Sequence, residues 1–173
     1  IGEDFWNKAE ILLMRALIGY LYFDGKVLGK YEPNIGQVSD LLRNIQREDE
    51  DIPSPVERMF EELEEELPGN YANRQWELFI KNAEGKTASS VRFISSTVFS
   101  SFDHEAVRKL TARDSMEMEK WQTEKTAVFI AIPETDKSFN FIATTMFAMM
   151  FRQLPMTADE ILQGNHPTCE PED

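Results

Sequence analysis

Ser54-Pro55-Val56-Glu57-Arg58-Met59-Phe60-Glu61-Glu62-Leu63-Glu64-Glu65-Glu66-Leu67-Pro68-Gly69-Asn70 carries both ends of one helix and the start of the next within seventeen residues. Ser54 is a cap, Pro55 suits a first turn whose amide has no partner, and Glu57 completes a capping box three residues after the serine. Met59, Phe60, Leu63 and Leu67 form one apolar stripe at helical spacing. Pro68-Gly69 ends the helix. Asn70 is placed to cap another, with Tyr71, Trp76, Phe79 and Ile80 as its buried candidates. Successive helices with apolar stripes predict helix-on-helix packing.

Toward the N-terminus, Asp4 is placed to cap a helix running to about Phe23. Its apolar residues (Phe5, Ala9, Leu12, Leu13, Ala16, Leu17, Tyr20, Leu21) cover more than one face, which predicts a central, mostly buried helix. Asp24-Gly25 is the expected stop. Pro33-Asn34 begins a second helix with Ile35, Val38, Leu41, Leu42 and Ile45 at helical spacing, and Glu48-Asp49-Glu50-Asp51 opens a charged loop. Beyond Gly85, residues Ala88, Val91, Ile94, Val98 and Phe102 mark a further helix, whose serines (Ser89, Ser90, Ser95, Ser96) are small enough for close packing. A short helix from Asp103 carries Val107 and Leu110. Residues 4–111 are therefore expected to form a helical bundle with Trp6, Leu13, Phe60, Trp76, Ile94 and Phe99 mostly buried.

The period then changes. Lys125-Thr126-Ala127-Val128-Phe129-Ile130-Ala131-Ile132 is a short β-prone apolar run ended by Pro133, and it reads as a strand buried on both faces. After Glu134-Thr135-Asp136-Lys137, Ser138 is placed to cap an apolar helix from Phe139 to about Leu154. Such a unit needs partner strands, and the sequence supplies no second convincing one. The polar, proline-punctuated tail is expected to be disordered.

With 173 residues, 42% of them hydrophobic, the chain suits one domain, or one domain with a fragment of another. A formal net charge of −13 argues against nonspecific phosphate binding as the main task. Ten acidic residues against one basic residue, Arg58, lie between Glu48 and Glu66, so much of that excess is concentrated in one loop and helix. The lone Cys169 makes no internal disulfide, which fits a reducing compartment. The longest apolar stretch, Ile11 to Phe23, is broken by Arg15 and falls short of the roughly 18 residues a membrane span needs. The N-terminal residues carry no signal-peptide pattern, so the chain is expected to be soluble as it stands.

Little catalytic chemistry is visible. Gly85-Lys86-Thr87 invites comparison with a phosphate-binding loop, but that motif needs glycine where Ile80 stands, and a strand before it. No apolar strand ends in paired acidic residues. His104 and His166 do not pair with cysteine or carboxylate at metal-ligand spacing. Glu61, Glu62, Glu64, Glu65 and Glu66 lack the inward-pointing Glu-x-x-His pattern of carboxylate metal sites. No catalytic, cofactor-binding or metal-binding residue is assigned. The acidic helix reads either as a solvated face or as a patch that steers a basic partner, with Glu61, Glu62 and Glu65 as partner-binding candidates.

Several stretches taken in order carry a resemblance. These are Phe5-Trp6-x-Lys8-Ala9-Glu10 followed by Leu12, Leu13, Ala16 and Leu17, then Ser54-Pro55 ahead of Met59-Phe60, then Lys86-Thr87 opening the serine-rich helix. The strongest is Lys125 through Asp136 followed by Phe139-Asn140-Phe141. Together they resemble the all-alpha domain of type IV secretion coupling proteins of the TraG/TraD family, in the branch found in conjugative elements of Gram-positive bacteria. The resemblance covers about residues 1–154 and implies a mainly α fold, a helical bundle followed by one strand-loop-helix unit that belongs to a RecA-like α/β core. Residues 1–120 would be the all-alpha domain and 121–154 a strand and helix of the motor core. Residues 155–173 would be a polar, disordered tail with no assigned role.

In that family the all-alpha domain is inserted between the nucleotide-binding motifs of a hexameric, membrane-anchored ATPase that brings relaxase-bound DNA to a secretion channel. The resemblance thus implies a relaxase or relaxosome accessory protein as cargo, and other subunits of the hexamer as neighbours. Single-stranded DNA would be met only through the parent complex and the membrane only through the parent's anchor, at the cytoplasmic face. ATP and magnesium would belong to the parent, and this segment would have no activity of its own. The alternatives from other classes are a free-standing helical adaptor that binds a basic protein through its acidic face, and an enzyme with an unfamiliar carboxylate site. The unmatched strand favours the coupling-protein reading over the adaptor.

Overall fold

The computed structural model describes residues 3–49, 51–83, 85–132, 134, 137 and 139–163, and all of their side chains except those of residues 3–5, 86 and 162. Seven α-helices follow one another among these residues: α1 Glu3–Leu21, α2 Gly36–Arg43, α3 Pro55–Glu66, α4 Tyr71–Asn82, α5 Lys86–Phe99, α6 Glu105–Thr111 and α7 Asn140–Leu162. The fold is mainly α. The chain forms two compact units, residues 1–113 and 114–173.

In the first unit α1 is the central helix and packs on α2, α4 and α5. Its buried residues, Ala9, Leu13, Ala16, Leu17, Tyr20 and Leu21, recur every three or four positions and so share one broad face. Gly19 lets α1 approach α4 closely, since a Cβ there would stand 3.1 Å from the Ala72 Cβ. The opposite edge of α1 is wet, with Ile11 and Ile18 about half exposed. α1 begins one residue ahead of the cap expected at Asp4, whose side chain lies outside the described residues.

The expected stop at Asp24-Gly25 is not where the helix ends. Tyr22–Val27 continue as a π-helix, closed by the Leu28 amide donating to the Phe23 carbonyl five residues back at 2.9 Å. Asp24 and Gly25 are buried in this turn. Gly25 is required there by space, because a Cβ would meet the Tyr31 ring at 2.8 Å and the Tyr31 carbonyl oxygen at 3.0 Å. Lys30 donates to Asp24 Oδ1 at 2.8 Å and to Glu66 Oε1 at 2.6 Å, joining the turn to the end of α3.

The boundaries of α3 and α4 follow the sequence. The Glu57 amide donates to Ser54 Oγ at 3.1 Å, and the Ser54 amide donates to Glu57 Oε2 at 2.6 Å. Gly69 takes a φ of +70° in the turn that follows α3, a conformation glycine adopts without steric penalty. Asn70 Oδ1 accepts from the Asn73 amide at 2.9 Å and caps α4. Polar ties fasten α6 to α2: the Arg108 guanidinium donates to Asp40 Oδ1 at 2.6 Å and to the Gly36 carbonyl at 3.2 Å. Asp103 accepts from Ser39 Oγ at 2.7 Å and pairs with Arg43.

Several expected core residues lie outside the core. On α5 the buried face is Ala88, Val91 and Ser95 with Phe99 half-buried, while Ile94 is 40% exposed and Val98 more so. α5 packs on α1 and α2 through Ala88, Val91 and Ser95, while Ser89 and Ser90 are exposed and Ser96 is half-buried, so only one of the four serines lies in the packed face. Tyr71, Ile80 and Leu110 are likewise exposed, and Trp6 and Phe102 are only half-buried. Leu13, Phe60, Trp76 and Phe79 are buried as expected.

The second unit departs furthest from expectation. Among the described residues there is no strand: residues 125–132 form no ladder, and Phe129 is 95% exposed. A strand is defined by its hydrogen-bonded neighbour, and no second run among the described residues supplies one. Met118–Gln122 form a short 3-10 turn that packs on α7. The helix expected to stop near Leu154 runs through Pro155 to Leu162. Proline forfeits one backbone bond and crowds the carbonyl four residues earlier, but it does not end α7. Ser138, the expected cap, and the tail from Gly164 onward lie outside the described residues. No residue of this unit is fully buried among those described, so the entire core belongs to the first unit.

Truncating Phe60 to Ala should cost about 3–5 kcal/mol in urea denaturation, as expected for a buried aromatic ring. The same truncation of Phe93, which is 73% exposed, should stay within about 0.5 kcal/mol. Equal losses would contradict the assigned face of α5 and the placement of the core.

Candidate functional site

The acidic residues of α3 divide into two groups. Glu57 closes the capping box and pairs with Arg47, whose guanidinium donates to both carboxylate oxygens at 2.7 and 2.9 Å. Glu64 accepts from the Gly69 amide at 2.7 Å and braces the turn into α4. Glu66 accepts from Lys30. These three carboxylates are engaged in holding the fold. Glu61, Glu62 and Glu65, the residues singled out in the sequence, are exposed, and among the described residues no hydrogen bond or ion pair engages them.

Glu61 and Glu65, one helical turn apart, border a cleft of about 390 Å³ between α3 and α4; Glu62 does not line it. The floor is aromatic. Phe60 and Trp76 stack with ring centroids 4.6 Å apart and planes inclined by only 6°. Glu77 and Asn73 form the α4 wall, and Glu64 contributes from α3. Asn73 is 8% exposed, and its Nδ2 donates to the Phe60 carbonyl at 2.8 Å. That bond fixes which amide atom is which, and it leaves Oδ1 buried without a donor. A helical pattern on α3 showed the acidic residues in the sequence, but not that a floor from two helices would lie beside them.

A larger cleft of about 650 Å³ runs along the wet edge of α1 and is lined chiefly by apolar residues such as Ile11, Ile18, Tyr22 and Tyr71. Beyond it, Tyr20 and Tyr31 flank Asp24. Burial first, and then the Asp24 charge, raise both phenols well above their ordinary range. Lys30 is also raised, by its bonds to Asp24 and Glu66.

The other sequence candidates are not brought together. Ile80 lies on α4, and Gly85, with a φ of +56°, is the N-cap of α5. Helix therefore precedes Gly85-Lys86-Thr87, where a phosphate loop needs a strand. Residues 80–87 thus have neither the preceding strand nor the glycine at position 80 that such a loop requires. His104 occupies the N-cap position of α6, while His166 and Cys169 lie outside the described residues. Among the described residues no group of three or more His, Cys, Asp or Glu side chains is arranged to hold a metal.

Glu57 sets a pH dependence. Burial alone would raise its carboxyl, but the bonds from Arg47 and Ser54 outweigh burial and hold it below its ordinary value. A depressed carboxylate contributes stability that is complete above the unfolded value of about 4.3 and is lost as pH falls through the folded value. The stability gap between the native chain and Glu57→Gln should be open at neutral pH and close progressively below about pH 4. Denaturant titrations at several pH values check this, and a gap that persisted unchanged in acid would refute it.

Among the described residues no helix is long and apolar enough to cross a membrane. No curated protein and no solved structure matches the chain. A family model described as type IV secretory system conjugative DNA transfer matches residues 1–169. That match spans nearly the whole chain and agrees with the motifs that run from Phe5 to Phe141, and the chain belongs to the type IV secretory system conjugative DNA transfer family.

Proposed function

We propose that this chain is the cargo-facing all-alpha domain of a conjugative coupling ATPase, and that it docks relaxase or a relaxosome accessory protein for delivery to a type IV secretion channel. The observation that carries the reading is the division of labour on α3. Three carboxylates stabilise the helix and its neighbours, while Glu61, Glu62 and Glu65 face solvent uncommitted. A patch of this kind attracts a basic surface and chiefly raises its association rate.

On the same reading residues 121–154 belong to the RecA-like core of the parent, whose sheet gives the 125–132 segment its neighbours. The lack of any fully buried residue among the described residues of the second unit supports this, because an apolar helix and an apolar extended run need a surface to cover them. It also favours the coupling-protein reading over a free-standing adaptor. ATP and magnesium, the other subunits of the hexamer, single-stranded DNA and the membrane anchor at the cytoplasmic face are assigned to the parent assembly.

Reversing the patch tests the docking. Each exposed substitution should change stability by only about 0.5 kcal/mol, so a Glu61→Lys, Glu62→Lys, Glu65→Lys triple variant should remain folded. It should associate more slowly with surface-captured relaxase complex, and the difference should shrink as salt rises and the screening length falls to about 8 Å. Equal association rates at low salt would overturn the docking role and leave the acidity as a solubility device.

The chain alone is expected neither to bind nor to hydrolyse ATP. Calorimetry with ATP and magnesium should give no saturable heat, and micromolar affinity would overturn the assignment.

A further inference from the structure

We infer that copies of this chain join head to tail, the apolar patch on α5 of one copy seating in the cleft along α1 of the next. The inference uses neither the acidic face of α3 nor the docking role proposed for it. Among the described residues, Phe93 and Val98 are the two most exposed large apolar side chains of the first unit. Phe93 and Thr97 are one helical turn apart, as are Ile94 and Val98, and the two rows lie side by side on the outer surface of α5. The receiving feature is the cleft of about 650 Å³ that Ile11, Met14, Ile18 and Tyr22 line together with Tyr71 of α4. No residue of α5 lines it. Patch and cleft are both fixed on helices of one packed core, so a copy's own patch does not fill its own cleft.

Charge selects a second copy as the occupant. A chain with a net charge of −13 repels its own kind over most of its surface. Both features escape that repulsion. No acidic residue lies between Glu84 and Asp103, so α5 carries only Lys86 and Arg92 as charges. The cleft is lined by one acid and one base, Glu10 and Arg15, and among the described residues no hydrogen bond or ion pair engages either. An incoming α5 therefore brings cations toward Glu10 and no carboxylate. The cleft also has the make-up of an interface centre, where tyrosine, methionine and arginine are enriched. Shape selects head to tail over a two-fold pairing. Two clefts set face to face would enclose voids, and two single-helix patches would touch over little area, whereas a patch in a cleft covers both. Such a contact leaves a free patch at one end and a free cleft at the other, so it propagates to a ring or a filament. One helix face is small for a specific interface, which predicts reversible, concentration-dependent association.

The test uses the whole chain and substitutions that leave its net charge unchanged. In sedimentation velocity the mean mass of the native chain should rise with concentration past that of a dimer. Phe93→Gln and Ile18→Gln should each weaken association by about tenfold, the scale of removing a central anchor. Both positions are exposed, and circular dichroism checks that each variant is folded. An equimolar mixture of the two variants should recover association but stop at a dimer, because one supplies an intact patch and the other an intact cleft. A photoreactive benzoylphenylalanine in place of Phe93, on a nitrogen-15-labelled chain mixed with unlabelled chain, should crosslink to the Glu10-to-Phe23 peptide of the unlabelled copy. A native chain that stays monomeric, native-strength association of either single variant, a mixture as inert as its components, or crosslinks that fall elsewhere would each overturn the inference. The relaxase capture shares no residue with these variants, so the docking role and the head-to-tail contact can fail separately.

Discussion

A row of aromatic rings joins the three helices on which the first unit depends. Tyr20 on α1 meets Phe60 on α3 at 5.2 Å, Phe60 stacks on Trp76 of α4 at 4.6 Å, and Trp76 leans on Phe79 at 5.9 Å. Aromatic contacts of this kind add to the burial of the rings themselves. Without them α3 would have little to hold it, since most of its surface is acidic and its apolar stripe is narrow. The position of the acidic face relative to α4 is thus set by hydrophobic packing beneath it.

The charges of Glu61, Glu62 and Glu65 do not add to the stability of α3. Like charges one turn apart on a helix oppose it by a few tenths of a kcal/mol per pair, and exposed ion pairs return little. The carboxylates that do stabilise are those with directed partners: Glu57 to Arg47 and the Ser54 amide, Glu64 to the Gly69 amide, and Glu66 to Lys30. A helix that keeps three further exposed carboxylates tolerates their repulsion through the burial of Val56, Phe60 and Leu63. This arrangement separates the two tasks in space, with packing on one side of the helix and an uncommitted charge on the other.

Where a local signal determines structure, the sequence was readable. Ser54, Glu57 and Asn70 act through bonds to residues three positions away, and a reader of the chain can see both partners. Gly69 is similar, because a left-handed turn has few alternatives. What failed to show depended on distant neighbours. Ile94 and Ser95 are adjacent on α5, and which one is buried is decided by the face that packs on α1 and α2, which a hydrophobic pattern alone does not reveal. The 125–132 run looks like a strand by composition, but composition cannot supply the neighbour that makes one. The end expected near Leu154 fell short, because α7 carries Pro155 inside it and runs to Leu162. For the site, Glu61, Glu62 and Glu65 could be selected from the sequence, whereas the Asn73 wall and the Phe60–Trp76 floor required α3 and α4 to be brought together.

The π turn at Tyr22–Val27 places a constraint on how this family segment can vary in length. A π turn holds about one more residue than the α turn it replaces, so losing a single residue there converts it to ordinary helix and removes one of the six positions of the turn. Asp24 against Lys30 and Gly25 beside Tyr31 both depend on the wider register. Connections between helices usually absorb a deletion easily. Here the connection starts inside a wound, buried turn, so length change is better accommodated in the charged segment between α2 and α3, where the backbone runs over the surface and Ile52 and Asp51 are exposed.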